Sequence, residues 1–493
     1  MKIVVANSIG VDKNGYHIIH SPSRWSEGVK SKYHWFAYYP WELAYASSLL
    51  KLNTDYDVKF LDGCLERLNS NSYCERILKE KPDFLVMESA TRMIDENLSL
   101  ALRIKKAFGT KLIFTGQHAN AFPEQLRALG VDYVCIGEYE YTVLELLKNP
   151  QSTNIKGLYP NERRALLDVN ELPWPEDADV SRLSYGCPGE PSSEYLEVQM
   201  YGSRGCPFGC SFCVARNIYY NQSNWRPRAT DKIVREITHL RNKYPAMEGV
   251  FFDEEVHNGD KGFTMGLTSA IVEAKLNDLK YEAMCDVRFL DEEILRAMKK
   301  AGYYKLRIGI ETASEKVMQG INKRMDAPLV RQRLQAAKEL GIKTYGTFIF
   351  GARGSDETED TKTIVLIKDF VQNNLLDNLQ ISICTPQPGT PFYEYVKNNN
   401  FLRKNVRFDE YDGGNSALIS YPGYDYKKIK KMKEIALSVR DHYFLKAKIN
   451  DSSFQPWITA IYRRYGIRGL FFKMLRRLKT EFGYQCRKLL RSA

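Results

Sequence analysis

The chain of 493 residues is predicted to be an α/β protein with two parallel-sheet units in tandem. In the first half, five short β-rich runs are separated by helical patterns, which is typical of a doubly wound, flavodoxin-like or Rossmann-like domain. In the second half, five further apolar runs alternate with amphipathic helical stretches, which indicates repeated βα units. No G-x-G-x-x-G sequence follows the first run, so ordinary dinucleotide binding is disfavoured.

The first unit is expected to place ligands at the carboxyl ends of its strands. Its predicted strands are 2–6, 56–61, 83–87, 111–115 and 132–136. A proline-rich, acidic stretch at 168–177 is a poor helix or strand and indicates a linker. We therefore place a first domain at 1–150 and a linker at 151–195.

The second unit is placed at 196–398, with a helical carboxyl-terminal region at 399–493. Its predicted strands are 249–252, 281–285, 305–310, 344–350 and 378–383, with helices at 231–244, 292–301 and 327–340. Polar residues such as Asp253, Glu254 and Glu311 follow the strand ends, which form the active-site face of βα barrels. Any single carboxylate there could equally cap a helix, but several at equivalent positions favour function.

Three cysteines within eight residues are the strongest local signal in the chain. Cys206, Cys210 and Cys213 have the spacing of ligands to one iron-sulfur cluster, and a cubane held by three thiolates keeps one iron open. Gly205 and Gly209 permit a tight loop around such a cluster. A structural zinc site normally has four protein ligands, and a disulfide would leave one of the three cysteines unpaired. We therefore favour the cluster over these two alternatives.

The positive charge of the chain, +11 overall, is concentrated at the carboxyl end. From residue 456 onward, basic residues alternate with apolar ones at helical spacing, which fits either an anionic membrane surface or a terminal helix that covers the barrel. No nucleic-acid-binding motif accompanies the charge, so no nucleic-acid partner is expected. No apolar stretch approaches ~18 residues and no signal peptide is evident, so we expect a cytoplasmic protein, with peripheral membrane contact as an option.

The C-x3-C-x2-C sequence, with Phe212 just before the third cysteine, resembles the signature of the radical S-adenosylmethionine (SAM) superfamily. The resemblance implies a partial (β/α)6 TIM-type barrel and a [4Fe-4S] cluster whose free iron binds SAM. It also implies that reduction of the cluster, by a flavodoxin- or ferredoxin-type electron donor, splits SAM into a 5′-deoxyadenosyl radical that abstracts hydrogen from substrate.

Later segments resemble the SAM-contacting segments of that superfamily. The sequences F-F-D-E-E at 251–255, G-I-E-T-A-S at 309–314 and G-T-F-I-F-G at 346–351 are the matching stretches. The residues to which the resemblance assigns SAM contacts are Phe212, Asp253, Glu254, Glu311, Ile349 and Gly351. One departure is the order Asp286-Val-Arg288, where relatives often have Arg-Val-Asp.

The first domain resembles the cobalamin-binding domain that precedes many radical SAM barrels. The resemblance lies in segments 40–44, 89–91, 115–123 and 137–142. At Thr115, Gln117 and Tyr139 this chain differs from the residues that are usual in that domain. The residues to which the resemblance assigns cobalamin contacts are Ser89, Thr91, Gly116, His118, Gly137 and Glu138. No D-x-H-x-x-G is present, so we predict that cobalamin binds without a protein histidine on cobalt; packing of its loop is as good an explanation for the histidine at 118.

The resemblance implies a cobalamin-dependent enzyme that methylates an unactivated carbon or phosphorus centre of a small-molecule or lipid substrate. Some relatives with this layout instead perform oxidative cyclisation or rearrangement without methyl transfer. A non-catalytic binding protein that keeps the cluster for structure is the alternative from another class, and a zinc-dependent enzyme is a third.

Overall fold

The computed structural model describes residues 1–21, 25–28, 36–186, 193–449 and 467. Its first sheet has five parallel strands in the order β4-β1-β5-β6-β7, and a β2-β3 hairpin lies outside this sheet. The strands are β1 Lys2–Ala6, β2 Ile18–Ser21, β3 Trp25–Gly28, β4 Asp57–Leu61, β5 Phe84–Glu88, β6 Lys111–Thr115 and β7 Tyr133–Val134. The helices are α1 Trp41–Asn53, α2 Ser70–Glu80, α3 Ile94–Phe108, α4 Gly116–Ala121, α5 Pro123–Ala128 and α6 Glu140–Lys148.

This order confirms the predicted doubly wound domain and its five strands. Because the strand order reverses between β1 and β5, the crevice at their carboxyl ends is the expected ligand site of such a sheet. The hairpin was not predicted from sequence.

The second sheet has six parallel strands in the order β8-β11-β12-β13-β14-β15, as an open barrel requires. Its strands, with a separate two-stranded ribbon β9-β10, are β8 Glu197–Met200, β9 Ser203–Arg204, β10 Arg226–Pro227, β11 Gly249–Phe252, β12 Lys280–Cys285, β13 Tyr303–Glu311, β14 Lys343–Phe350 and β15 Asn378–Ile383. The helices are α7 Thr230–Lys243, α8 Lys261–Glu273, α9 Glu292–Lys300, α10 Glu315–Gly320, α11 Ala327–Glu339, α12 Glu357–Gln372, α13 Pro391–Asn398 and α14 Tyr426–Ile449.

The six strands confirm the partial barrel, and only β8 was missed. Side chains alternate along these strands between an apolar face that packs against the helices and a second, more polar face. On β11, for example, the Phe252 ring stacks on His257, whereas the neighbouring Phe251 ring lies 4.5 Å from the Arg307 guanidinium. The polar face lines the inside of the barrel.

The carboxyl-terminal region differs from the helical expectation between 399 and 425. There the only helical element is a 3-10 turn at Phe408–Glu410, and the Asp412 carboxylate accepts the backbone N–H groups of Gly414 and Asn415 in a turn that a helix cannot contain. From Tyr426 the chain is helical and α14 packs on α12. The basic stretch from 456 lies outside the described residues except for 467, and none of the described helices is long and apolar enough to cross a membrane.

Candidate active site

The carboxyl edges of the two sheets face each other. From α4, directly after β6, the Gln117 amide donates a hydrogen bond of 2.9 Å to Gln387, which follows β15. At the end of β5, Glu88 accepts a hydrogen bond of 3.3 Å from the Tyr219 hydroxyl, six residues after the third cysteine. Both active-site edges therefore border one interdomain region.

The loop that carries the three cysteines is tethered on two sides. The side-chain amide of Asn217 donates to the carbonyls of Cys210 and Cys213 at 2.9 and 2.6 Å. From the other side of the barrel, the Asn322 amide donates to the Gly209 carbonyl at 2.9 Å. These bonds fix the backbone of the loop and leave the thiols partly accessible, as a cluster-binding loop requires.

Gly205, at the start of this loop, has a φ of +95°, and a Cβ there would overlap the Asn224 side chain. Its N–H donates to the Glu255 carboxylate at 3.1 Å, and the same carboxylate accepts the Tyr220 hydroxyl at 3.0 Å. Glu255, the third acid of the Asp-Glu-Glu sequence after β11, was not among the predicted site residues. The Glu255 carboxylate therefore fixes the backbone at the start of the cysteine loop.

Burial raises the pKa of all three cysteine thiols, that of Cys213 to about 12, and charge on neighbouring thiols further raises the pKa of Cys206 and Cys213. Three thiolates at this site therefore need a strongly positive group, which a metal cluster supplies. In the described part of the chain, no three His, Cys, Asp or Glu side chains converge on a single metal-ion position. A cubane is bound at separate irons, so its ligands need not converge, and the loop fits the group.

The two acids after β11 point in different directions. Glu254 is fully buried and its carboxylate lies 2.6 Å from Nδ1 of His257, whose Nε2 lies 2.7 Å from the Tyr303 hydroxyl. This group packs on the helix-facing side of the sheet. Asp253 has the same strand parity as Phe251 and lies on the inner side, which makes it the better placed of the two for a SAM contact.

Glu311 ends β13 with a φ of +67°, which costs a non-glycine residue about 1–3 kcal/mol, next to an irregularity in the pairing with β14. Its carboxylate pairs with the buried Lys323 ammonium at 2.9 Å, and Lys323 also donates to the Gly309 carbonyl. Backbone strain at a strand end of the active-site face is typical of functional residues. Ile349 lies on the next strand of the barrel, β14. Gly351 follows this strand, and its N–H donates to the Asp360 carboxylate at 3.0 Å.

The Asp286-Val-Arg288 departure has a structural role at the cysteine loop. The two side chains form an ion pair of 2.7 Å, and the Arg288 guanidinium lies 3.5 Å from the centre of the Phe208 ring. Although burial opposes it, the bond from Arg288 lowers the pKa of Asp286. The reversed order therefore still places a guanidinium against the loop.

At the edge of the first sheet, the loops after β5 and β6 are hydrogen-bonded to each other. The Ser89 hydroxyl donates to the Thr115 carbonyl at 2.6 Å, and Thr91 Oγ1 lies 3.4 Å from His118 Nδ1. His118 is buried against Phe122 and Phe408, and burial lowers its pKa to about 3. Its imidazole is therefore neutral at physiological pH.

Two glycines with positive φ, Gly116 and Gly137, bring backbone close to the same edge. A Cβ at Gly116 would lie 2.8 Å from the Glu88 side chain, and Gly137 donates its N–H to Asn120 at 2.7 Å. Backbone that is bare of side chains at a switch-point crevice suits a large planar ligand. The residues fit a corrin at this edge.

Glu138 joins the two domains and is not open to a ligand. It is buried and pairs with Arg226 at 2.8 Å and Arg204 at 3.2 Å, and it accepts the N–H of Leu167 in the linker. Although burial opposes it, these arginines lower its pKa. Arg226, on the ribbon of the second domain, therefore binds an acidic residue of the first domain.

Comparison with known families agrees with this architecture. Residues 36–147 match the B12 binding domain, and residues 200–367 match the radical SAM superfamily. The chain is thus an α/β protein in which a B12-binding domain precedes a radical SAM domain.

The relatives found by sequence share low identity with this chain but align with most of its length. The chain is 27% identical over 385 residues to an uncharacterized methyltransferase of Pyrococcus horikoshii, with 74% of this chain and 79% of that protein covered. It is 24% identical over 378 residues to the anaerobic magnesium-protoporphyrin IX monomethyl ester cyclase of Cereibacter sphaeroides, covering 72% of this chain and only 60% of the cyclase.

Solved structures share the fold. The methyltransferase TsrM from Kitasatospora setae, with cobalamin and a [4Fe-4S] cluster bound, superposes with a TM-score of 0.62 at 16% identity over 83% of this chain and 84% of that one. The enzyme OxsB with aqua-cobalamin and SAM bound gives a TM-score of 0.62 at 14% identity over 98% of this chain and 72% of its own. The protein is a cobalamin-dependent radical SAM enzyme, and its cofactors are a [4Fe-4S] cluster, SAM and cobalamin.

Proposed function

We propose that this enzyme methylates an unactivated carbon or phosphorus centre of a small molecule. The observation that supports this most strongly is the opposition of the two active-site edges, with Glu88 bonded to Tyr219 and Gln117 bonded to Gln387 across the boundary. A methyl carrier on one edge and a radical source on the other could then reach the same substrate atom.

The roles assigned to individual residues follow from their positions. Cys206, Cys210 and Cys213 would hold the cluster, which together with SAM and cobalamin supplies the radical and methyl-transfer chemistry. Asp253 and Glu311 would orient SAM from the strand ends, and the loops that carry Ser89, Thr91, Gly116 and His118 would border the corrin.

The test is reductive turnover by anaerobically reconstituted protein. We expect SAM to be cleaved to 5′-deoxyadenosine, and the Cys210→Ala variant to lose this cleavage with the fold retained, as judged by circular dichroism. Intact, iron-loaded protein that never cleaves SAM would instead favour the non-catalytic binding role. A flavodoxin or ferredoxin is the proposed physiological reductant and can be compared with a chemical one in the same assay.

Oxidative cyclisation without methyl transfer is the second candidate, because relatives named as magnesium-protoporphyrin IX monomethyl ester cyclases align over much of this chain. Product mass separates the two reactions. Methylation adds one CH2 to the substrate and releases S-adenosylhomocysteine, whereas cyclisation removes hydrogen or adds oxygen and releases none.

A further inference from the structure

Gly351, directly after β14, is held by residues from three other segments of the chain. Its N–H donates to the Asp360 carboxylate on α12 at 3.0 Å, and its carbonyl accepts the Tyr421 hydroxyl at 3.2 Å. A Cβ on Gly351 would lie 2.7 Å from the Ile429 side chain of α14, and the φ of +71° also favours glycine. Both backbone polar groups and the α-carbon of Gly351 are therefore fixed from outside the barrel sheet.

Tyr421 belongs to a tight turn, Tyr421-Pro-Gly-Tyr424, that precedes α14. Tyr421 and Tyr424 exchange backbone hydrogen bonds of 3.0 and 3.1 Å. Gly423 has the positive φ, +73°, that a type II turn requires at its third residue, and proline suits the second. The Tyr424 hydroxyl donates to Asp360 at 2.6 Å. The two tyrosines therefore reach Gly351 by two routes, one direct and one through Asp360.

The Asp360 carboxylate joins three parts of the chain. Besides the Gly351 N–H and the Tyr424 hydroxyl, it accepts the Ser355 hydroxyl at 2.9 Å. Asp360 is fully buried, so these donors take the place of water, and removal of one leaves the carboxylate less well satisfied. Loss of the Tyr424 hydroxyl should therefore loosen the end of β14 as well as the turn.

The same helix, α12, also holds the end of β13. Thr363 Oγ1 lies 2.8 Å from Thr312 Oγ1, and the Glu359 carboxylate accepts the Ser314 hydroxyl. Thr312 directly follows Glu311, whose left-handed backbone persists only where the surrounding structure holds it. The helix therefore binds both of the strand ends to which SAM contacts are assigned.

We propose that the turn at 421–424 and α14 form a SAM-positioning element, in which Tyr421 and Tyr424 fix the end of β14. This assignment rests on the proposed function, in which the strand ends orient SAM. Ile349 lies two residues before Gly351 on the same face of the strand, so its position against SAM depends on this element. The two tyrosines are positioning residues, since they act through Gly351 and Asp360.

The experiment measures SAM binding without turnover, so that its result does not depend on the reaction. Isothermal titration of the anaerobic, cluster- and cobalamin-loaded protein, without reductant, gives the Kd of SAM for wild type, Tyr421→Phe and Tyr424→Phe. Each substitution removes one hydroxyl and keeps the ring, so the packing of the turn is retained. We expect Kd to rise about three- to tenfold in each variant, as loss of one hydrogen bond should produce. An unchanged Kd in both variants would overturn the proposal.

Tyr281→Phe is the matched control. Tyr281 is also a buried tyrosine of the barrel whose hydroxyl donates to a carbonyl, that of Leu276 at 3.0 Å, but it lies at the amino end of β12, away from the strand ends in question. This variant should bind SAM like wild type. An equal loss of SAM affinity in Tyr281→Phe would show that general destabilisation is the cause and would refute the positioning role.

A kinetic measurement separates positioning of SAM from damage to the cluster. During reductive cleavage, Tyr421→Phe and Tyr424→Phe should raise the KM for SAM and keep kcat within about twofold of wild type, because the cysteine loop is untouched. A fall in kcat at unchanged KM, or a loss of iron in these two variants, would contradict the proposal. Wild-type protein that binds SAM but never cleaves it would instead refute the proposed function, so the two failures are distinguishable.

Discussion

Arg204 offers a quantitative test of how the two domains are held together. Its guanidinium is buried and pairs with Glu140 at 2.5 Å and with Glu138 at 3.2 Å, both from the first domain. Replacing it with methionine leaves Glu138 bonded to Arg226 but removes the ion-pair partner of Glu140 within the described part of the chain. Breaking a buried pair in this way costs about 3–5 kcal/mol.

We expect Arg204→Met to lower the free energy of unfolding by about 3 kcal/mol, the lower end of that range, because Glu140 can take up a proton. Burial already raises the pKa of Glu140, which makes this protonation easier. The measurement is urea unfolding of the metal-free protein under anaerobic conditions, followed by far-ultraviolet circular dichroism. Adding Glu140→Gln to the variant should recover a large part of the loss, since no buried carboxylate is then left unpaired.

A matched control is Arg235→Met, which removes an exposed ion pair with Asp231 one helical turn away and should cost no more than about 0.5 kcal/mol. A loss below about 1 kcal/mol for Arg204→Met, or no recovery in the double variant, would show that the network does not hold the interface in the way its geometry indicates.

Three further predictions concern single sites. Burial raises the pKa of Glu42 to about 7, so the folded protein binds a proton more tightly than the unfolded chain and loses stability as pH rises from about 4.5 to 7. Glu42→Gln should therefore match wild type below pH 4.5 and exceed it by about 3 kcal/mol above pH 7, and parallel urea-midpoint profiles would contradict this. Gly205→Ala should lower the iron content after reconstitution, because its Cβ would overlap Asn224, whereas Gly15→Ala, with a similar φ but open space around it, should bind iron normally; equal loading would refute the steric argument. The electron paramagnetic resonance spectrum of the cob(II)alamin form should lack nitrogen splitting from a protein histidine, and splitting that vanishes in His118→Ala would disprove that prediction.

The sequence predicted the elements whose signal is local. Five short apolar runs identified the first sheet, and the cysteine spacing identified the loop that the structure places opposite it. The strand β8 was not predicted because it has only four residues, of which Glu197 and Gln199 are polar, so its apolar signal is weak. The hairpin β2-β3 was not predicted because its pairing depends on contacts with the loops after β4 and β5.

The site was less predictable than the fold. Asp253 and Glu254 are adjacent in sequence, yet only strand direction shows that Glu254 packs with His257 on the outer side. Glu138 was expected at the corrin, but its partner Arg204 is 66 residues away, a separation that no local pattern reveals. Lys305 and Arg307 could have been singled out from the sequence, because charged residues at alternate positions of a buried strand lie on the same face and need partners there.

The contacts described between the two edges, such as the Gln117–Gln387 bond and the pairs of Glu138, are made outside the six strands of the barrel sheet. The inner wall of the barrel is built by strand residues such as Thr347, Gln380 and Ser382, which have no part in those contacts. Remodelling the wall should therefore change which molecule is accepted while the geometry of radical delivery stays the same. A combinatorial library at these three positions would be a direct route to altered selectivity in this scaffold.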